Sequence, residues 1–385
     1  MRIIVANGRC VRGTDIVEAD VVLEDGRIAS VTKTDAEADV AIDATGLFVA
    51  PGFIDVHVHG GGGRDFMEAS VEAYVAATEY HLLHGTTTIV PTAVSAAPAD
   101  LERFLMGYER AEASGRIRAR LGGAHLEGPY LSKVKAGAHD PQVLRDPDPA
   151  EYIPLAGRHP CFRRMTAAPE LPGAFRLGDD LAARGIRVSV GHSDATAETV
   201  FEACNHGYRS VTHLYNAMSS VAERGGRKQG GVAEAALYDD RLYAEIIADL
   251  RHVPAELLKL AYKAKGRERL LLVSDCLAPA GAPSGSYRLG DPVSGTPVEV
   301  RDAAYLAGTT KLAGSVATTD VLLRNMVSIG VPLPDAVWML TKTPAAMLGI
   351  DSEIGSLEPG MAADLVLFDA AGIVRHVVCR GNVIL

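Results

Sequence analysis

Between about residue 52 and residue 350, short apolar runs alternate with helix-like stretches. This alternation constrains the fold more than any other feature, because strands with a helix between each pair are joined as parallel βα units. The runs fall at 53–57, 86–91, 121–127, 165–168, 186–191, 210–213, 242–247 and 270–275. Helical periodicity lies between most of them, at 71–84, 99–114, 177–184, 197–206 and 254–265. Eight such units predict an α/β fold of the TIM type, a (β/α)8 barrel.

The two ends of the chain read differently. Residues 1–50 are β-rich, with apolar runs at 3–5, 21–23 and 28–31 and a hairpin signal at Asp25-Gly26. After the eighth run comes a Gly/Pro-rich stretch, 278–295, with hairpin-like alternation at 287–289 and 297–300. Two helices are predicted at 316–329 and 334–348, and strand pattern returns at 364–368, 374–379 and 383–385. The expected organisation is a barrel over 51–350 with a small β-sandwich built from 1–50 and 351–385.

Composition excludes several functions. The net charge of −10 argues against a general nucleic-acid surface. No apolar run approaches membrane-spanning length. The N-terminus, MRIIVANGRC, lacks the layout of a signal peptide. The five cysteines (Cys10, Cys161, Cys204, Cys276, Cys379) form no CxxC pair and read as reduced thiols. Together these point to the cytoplasm.

In a barrel of this type the active site lies at the C-terminal strand ends. Those ends carry His57 and His59, Glu127, His192, His213 and Asp275. Any one of them alone reads as a packed residue, but six converging on one rim read as a metal site. His57 and His59 are two apart, so on a strand they share a face. Six ligands exceed the needs of one catalytic zinc, and a two-metal site fits better. His57, His59 and Asp275 would hold one ion, His192 and His213 the other, with Glu127 between them. The implied chemistry is hydrolysis of an amide, with Asp275 as general base and then acid. His125, two residues before Glu127, is expected to point inward beneath the ligands. His81 and His84 read as a helix end, and Tyr130 and Tyr215 as either packing or sugar-flanking groups.

Residues 51–60 (PGFIDVHVHG), 85–92 (GTTTIVPT), 125–132 (HLEGPYLS), 135–141 (KAGAHDP), 191–196 (GHSDAT), 212–218 (THLYNAM), 245–253 (EIIADLRHV), 272–281 (LVSDCLAPAG), 311–315 (KLAGS) and 355–369 (GSLEPGMAADLVLFD) carry a resemblance. The chain resembles the amidohydrolase superfamily, and within it the N-acetylglucosamine-6-phosphate deacetylase family. The resemblance implies one or two divalent ions per subunit, zinc first and iron, manganese or cobalt as alternatives. It implies Glu127, His192 and His213 as the best-kept ligands and Asp275 as the acid/base. His139 would polarise the acetyl carbonyl beside Ala138. Asn216, Ala217, Arg227 and His252 would meet a phosphate, one of the basic pair coming from the partner in a homodimer. Leu312, Ala313 and Gly314 would line the acetyl side. The phosphate arginine falls in an Arg-x-x-Gly stretch, for which Arg224 competes with Arg227. Cyclic-amide hydrolases of the dihydroorotase or hydantoinase type are disfavoured, because they bridge their metals with a carboxylated lysine where this chain has Glu127. The implied substrate is N-acetylglucosamine 6-phosphate, cleaved to glucosamine 6-phosphate and acetate. N-acetylgalactosamine 6-phosphate is the alternative, and a non-catalytic sugar-phosphate binder the reading from another class.

Overall fold

The computed structural model describes residues 1–385, apart from the side chain of Arg224. The eight predicted strands are present as β1 (Phe53–Val58), β2 (Thr86–Ala93), β3 (Ala124–Glu127), β4 (Phe162–Ala167), β5 (Arg187–Val190), β6 (Tyr208–Val211), β7 (Tyr243–Ile246) and β8 (Leu270–Leu272). Each pairs in parallel with the next. The run at 121–127 is split. Arg120–Leu121 pairs with β2 alone, and Gly123, at φ 103°, turns the chain into β3. The ring closes where the chain beyond β8 meets β1. The Asp275 N–H donates to the His57 carbonyl at 3.0 Å, and the His59 N–H to the Cys276 carbonyl at 2.8 Å. That closure sets Asp275 directly against the His57–His59 pair.

Helices Val71–Leu83, Pro98–Ala113, Ala174–Ala182, Ala197–Asn205 and Ala255–Arg269 lie where the periodicity places them. Two more, Pro149–Arg158 and Val232–Tyr238, complete the crossovers. The helix expected over 334–348 is two, Leu333–Leu340 and Lys342–Leu348. Pro344 has no N–H to offer the preceding turn, and Thr341 leaves helical geometry at φ −131°, ψ −78°. The stretch after β8 folds into a four-stranded antiparallel sheet over the barrel mouth, ending in strand Leu312–Gly314. Tyr287 pairs with Val298 there, as the alternation predicts.

The chain ends meet in one eight-stranded sheet. Strand Phe48–Pro51 sits between Arg2–Arg12 and Leu365–Phe368. Its core includes Ile3, Val5, Val21, Leu23, Leu365 and Leu367. Phe368 ties this sheet to the barrel through Phe53, with ring centroids 6.4 Å apart, a contact that contributes about 1 kcal/mol beyond its buried area. All five cysteines are buried and unpaired. Among the described residues no helix is long and apolar enough to cross a membrane.

Candidate metal centre and substrate cavity

Every predicted ligand lies at the C-terminal rim of the barrel, but not all at the ends of regular strands. Glu127 is the last residue of β3. His192, His213 and Asp275 lie beyond β5, β6 and β8, at φ 47°, 33° and 48°. Side chains rarely adopt such backbone, and three cases at one rim mark a site whose geometry the surrounding fold enforces. All six side chains are buried.

The hydrogen bonds on the far side of three of the four rings fix what they offer inward; among the described residues His213 Nδ1 has no partner. His192 Nδ1 faces the Lys135 carbonyl at 2.8 Å, and His59 Nδ1 the Thr92 carbonyl at 3.2 Å. A carbonyl only accepts, so in the neutral ring Nδ1 carries the proton and Nε2 presents a lone pair. His57 Nδ1 faces the Glu245 carboxylate at 3.3 Å, with the same result. The inward atoms are then acceptors packed against acceptors. Nε2 of His57 and His59 are 3.3 Å apart, and those of His192 and His213 are 3.0 Å apart. Glu127 Oε1 lies 3.2 Å from His192 Nε2 and 3.0 Å from His213 Nε2. Its Oε2 lies 3.4 Å from His57 and 3.3 Å from His59. Asp275 Oδ1 lies 3.2 Å from His59 and 3.5 Å from His57. Such a cluster calls for positive charge at its centre. Burial works against a charge on His59, yet Asp275 and Glu127 outweigh it and push its pKa up to about 9. Burial likewise raises Glu127, but the imidazoles around it hold its carboxyl well below the usual range. The donor set fits divalent metal ions in two places, around His57, His59 and Asp275 and around Glu127, His139 and His192.

His139 also lies near Glu127 Oε2, at 3.4 Å, but it differs in kind. Its Nδ1 accepts the Ser95 N–H at 3.1 Å, so Nε2 carries the proton. Burial, with His192 close by, holds its pKa down to about 4, and the ring stays neutral. It presents an N–H donor, whereas His213 Nε2, 3.0 Å from both Glu127 and His192, is placed as a ligand.

A cavity of about 400 Å³ opens onto this cluster. Ala138 and His139 form one wall, and Leu312, Ala313 and Gly314 from the covering sheet another. Asn216, Ala217 and His252 stand on a third. His252 Nδ1 is 2.7 Å from Asp249 Oδ2. Burial opposes its charge, but that carboxylate raises its pKa, which favours a cation facing the cavity. Gly137, at φ 60°, lets the chain pass close to His192; a Cβ there would lie 3.0 Å from the ring. Arg227 is not brought to this cavity. It is exposed on the hairpin Ala222–Arg224/Arg227–Gln229, whose turn is made by Gly225 and Gly226 at positive φ. Its competitor Arg224 lies outside the described side chains. A larger cavity, about 570 Å³, opens at the other end of the barrel beside Arg120, Arg163 and Arg187, away from all the ligands.

His125 packs beneath the ligands, as expected, bonded to Thr166 at 2.8 Å and Thr92 at 3.2 Å. His81 lies in the last turn of helix Val71–Leu83 and His84 at its C-cap, as expected. But His81 is buried, burial holds its pKa down to about 4, and it bonds the Gly60 carbonyl at 2.9 Å. It therefore braces the glycine loop after β1 as a neutral ring and brings no charge to the helix end. Tyr130 is a packing residue bonded to Glu151. Thr92, Ser95 and Glu245, which orient three of the imidazoles, were not singled out by the sequence reading. Only Glu245 leaves a trace there, as a lone carboxylate inside an apolar run.

The sequence pattern of the amidohydrolase family matches residues 48–384. The chain is 34% identical over 358 residues to the N-acetylglucosamine-6-phosphate deacetylase of Caenorhabditis elegans, covering 90% of this chain and 84% of that one. It is 33% identical to the N-acetylgalactosamine-6-phosphate deacetylase of Escherichia coli O157:H7, covering 92% and 89%. The crystal structure of the N-acetyl-D-glucosamine-6-phosphate deacetylase of Mycobacterium smegmatis superposes with a TM-score of 0.91 at 34% identity, covering 100% of both chains. The chain belongs to the amidohydrolase family.

Proposed function

We propose that the chain hydrolyses the N-acetyl group of N-acetylglucosamine 6-phosphate to give glucosamine 6-phosphate and acetate. The observation that carries this reading is the inward cluster of acceptors, Glu127, His192, His213, His57, His59 and Asp275, at the floor of a cavity walled by Asn216, Ala217 and His252. Bound there, a divalent ion would acidify a water and polarise the acetyl carbonyl. Glu127, His192 and His213 would hold the essential ion, and His57, His59 and Asp275 a second. Zinc suits this nitrogen and oxygen set, with iron, manganese or cobalt as alternatives.

The chain's own groups divide the remaining work. Asp275 accepts a proton from the attacking water and returns it to the departing amine. His139 donates its Nε2–H to the developing oxyanion. His252 and the amides of Asn216 and Ala217 bind the phosphate. Leu312, Ala313 and Gly314 enclose the acetyl methyl. The metal-loaded protein should therefore release acetate from N-acetylglucosamine 6-phosphate. The same assay on N-acetylgalactosamine 6-phosphate decides the epimer, which the Escherichia coli relative makes a real alternative. Tight sugar-phosphate binding with no acetate from either would replace the enzyme with a binding protein.

On this reading Arg227 serves the phosphate of the partner subunit in a cytoplasmic homodimer, since the hairpin carries it away from its own cavity. Arg227→Ala should then raise KM about 10-fold or more, the loss of one charge-assisted contact, with kcat little changed. A monomer by sedimentation, with KM unmoved in the variant, refutes that role.

A further inference from the structure

Below the rim, the barrel interior holds a charged pair. Arg164 of β4 and Glu245 of β7 are both 0% exposed and form an ion pair. Burying two charges carries a large desolvation cost, and apolar residues of similar volume often serve stability as well or better. The pair is also aimed. Arg164 Nη1 donates to the Val56 carbonyl at 2.8 Å. The second oxygen of Glu245, Oε2, lies 3.3 Å from His57 Nδ1. Both contacts converge on two successive residues of β1. Arg164 also approaches His125 Nδ1, at 3.5 Å. Neither Arg164 nor Glu245 lines the substrate cavity.

We propose that Glu245, anchored by Arg164, is a positioning residue for His57: it holds the proton on Nδ1 and aims the Nε2 lone pair at the point shared with His59 and Asp275. This rests on the two-ion reading above and deepens it. Of the two ion positions, the one at His57 depends on a carboxylate brought from across the barrel, whereas His192 is oriented by the Lys135 carbonyl. The two positions are therefore supported separately, and the Arg164–Glu245 pair tunes how readily the second one fills.

The test measures zinc bound per full chain against buffered free zinc. The wild type should fill two sites. Glu245→Gln should fill the Glu127–His192–His213 site at the wild-type zinc level and the other only at about 10- to 100-fold higher zinc, the usual effect of losing a carboxylate behind a ligating histidine. Glu245→Asp, which keeps the charge, should recover part of that affinity. Because Glu245→Gln strands a buried guanidinium, the double variant Arg164→Met/Glu245→Gln provides a charge-neutral chain that should show the same selective loss. On a His57→Asn background, Glu245→Gln should change nothing further. Glu245→Gln or the double variant filling both sites at the wild-type level overturns the inference alone. A wild type that holds one ion, with an affinity His57→Asn does not alter, overturns the two-ion reading and this inference with it.

Discussion

Asp275→Asn is expected to lower kcat roughly 100- to 10,000-fold, the range for a lost general acid–base group, while the ion at Glu127, His192 and His213 stays bound. The substitution suits the site structurally. Asp275 sits at φ 48°, a conformation that asparagine also tolerates, and its N–H donates to the His57 carbonyl whatever the side chain. What changes is proton transfer. Burial raises the carboxyl, but His57 and His59 beside it outweigh burial and lower its pKa, which favours the ionised form that accepts a proton. An amide can neither accept that proton nor return it. His139→Leu makes a useful contrast. It removes the ring's N–H donor without altering a ligand, and should cost about 100- to 1,000-fold in kcat at unchanged metal content. Steady-state kinetics paired with metal analysis separates the two. Undiminished turnover by Asp275→Asn would remove it from the proton path.

The sequence exposed the barrel because its parallel strands are buried over most of their length and so read as short, largely apolar runs between helical stretches. The candidate ligands were legible for the same reason: a histidine or carboxylate that ends such a run stands out. What stayed hidden acts across the barrel or through the backbone. Nothing in the sequence places the Lys135 carbonyl behind His192 or the Ser95 N–H behind His139, though these contacts set which ring is a ligand and which a donor. The left-handed geometry at His192, His213 and Asp275 was equally invisible, since none of them is a glycine. Glu245 and Arg164 belong to strands far apart in the chain and meet only in the closed barrel. The helix Pro149–Arg158 was masked by Pro154 within it. The outward course of the Arg227 hairpin depends on a turn that spacing alone does not orient.

Glu127→Ala should have the largest effect of any single substitution, because Glu127 is the one carboxylate that reaches both halves of the cluster. Its Oε1 faces His192 and His213 at 3.2 and 3.0 Å, and its Oε2 faces His57 and His59 at 3.4 and 3.3 Å. Without it, lone pairs 3.0 Å apart on one side and 3.3 Å apart on the other lose their shared anionic neighbour: the His192–His213 side keeps only two ligands, and the His57–His59–Asp275 side loses the carboxylate that balances an ion's charge, so neither should retain an ion through gel filtration. Acetate release should fall by roughly 10,000-fold or more, since a water left near its free pKa is a far weaker nucleophile at neutral pH. The loss should also register without any assay of activity. Zinc that binds only the folded chain stabilises it, by about 4 kcal/mol at a thousand times its Kd, so adding zinc should raise the wild-type Tm and leave that of Glu127→Ala unchanged. His57→Asn, in comparison, should lose one ion and keep most of that rise. One ion retained by Glu127→Ala, with a zinc-dependent Tm, would show that the two positions are independent and that no residue bridges them.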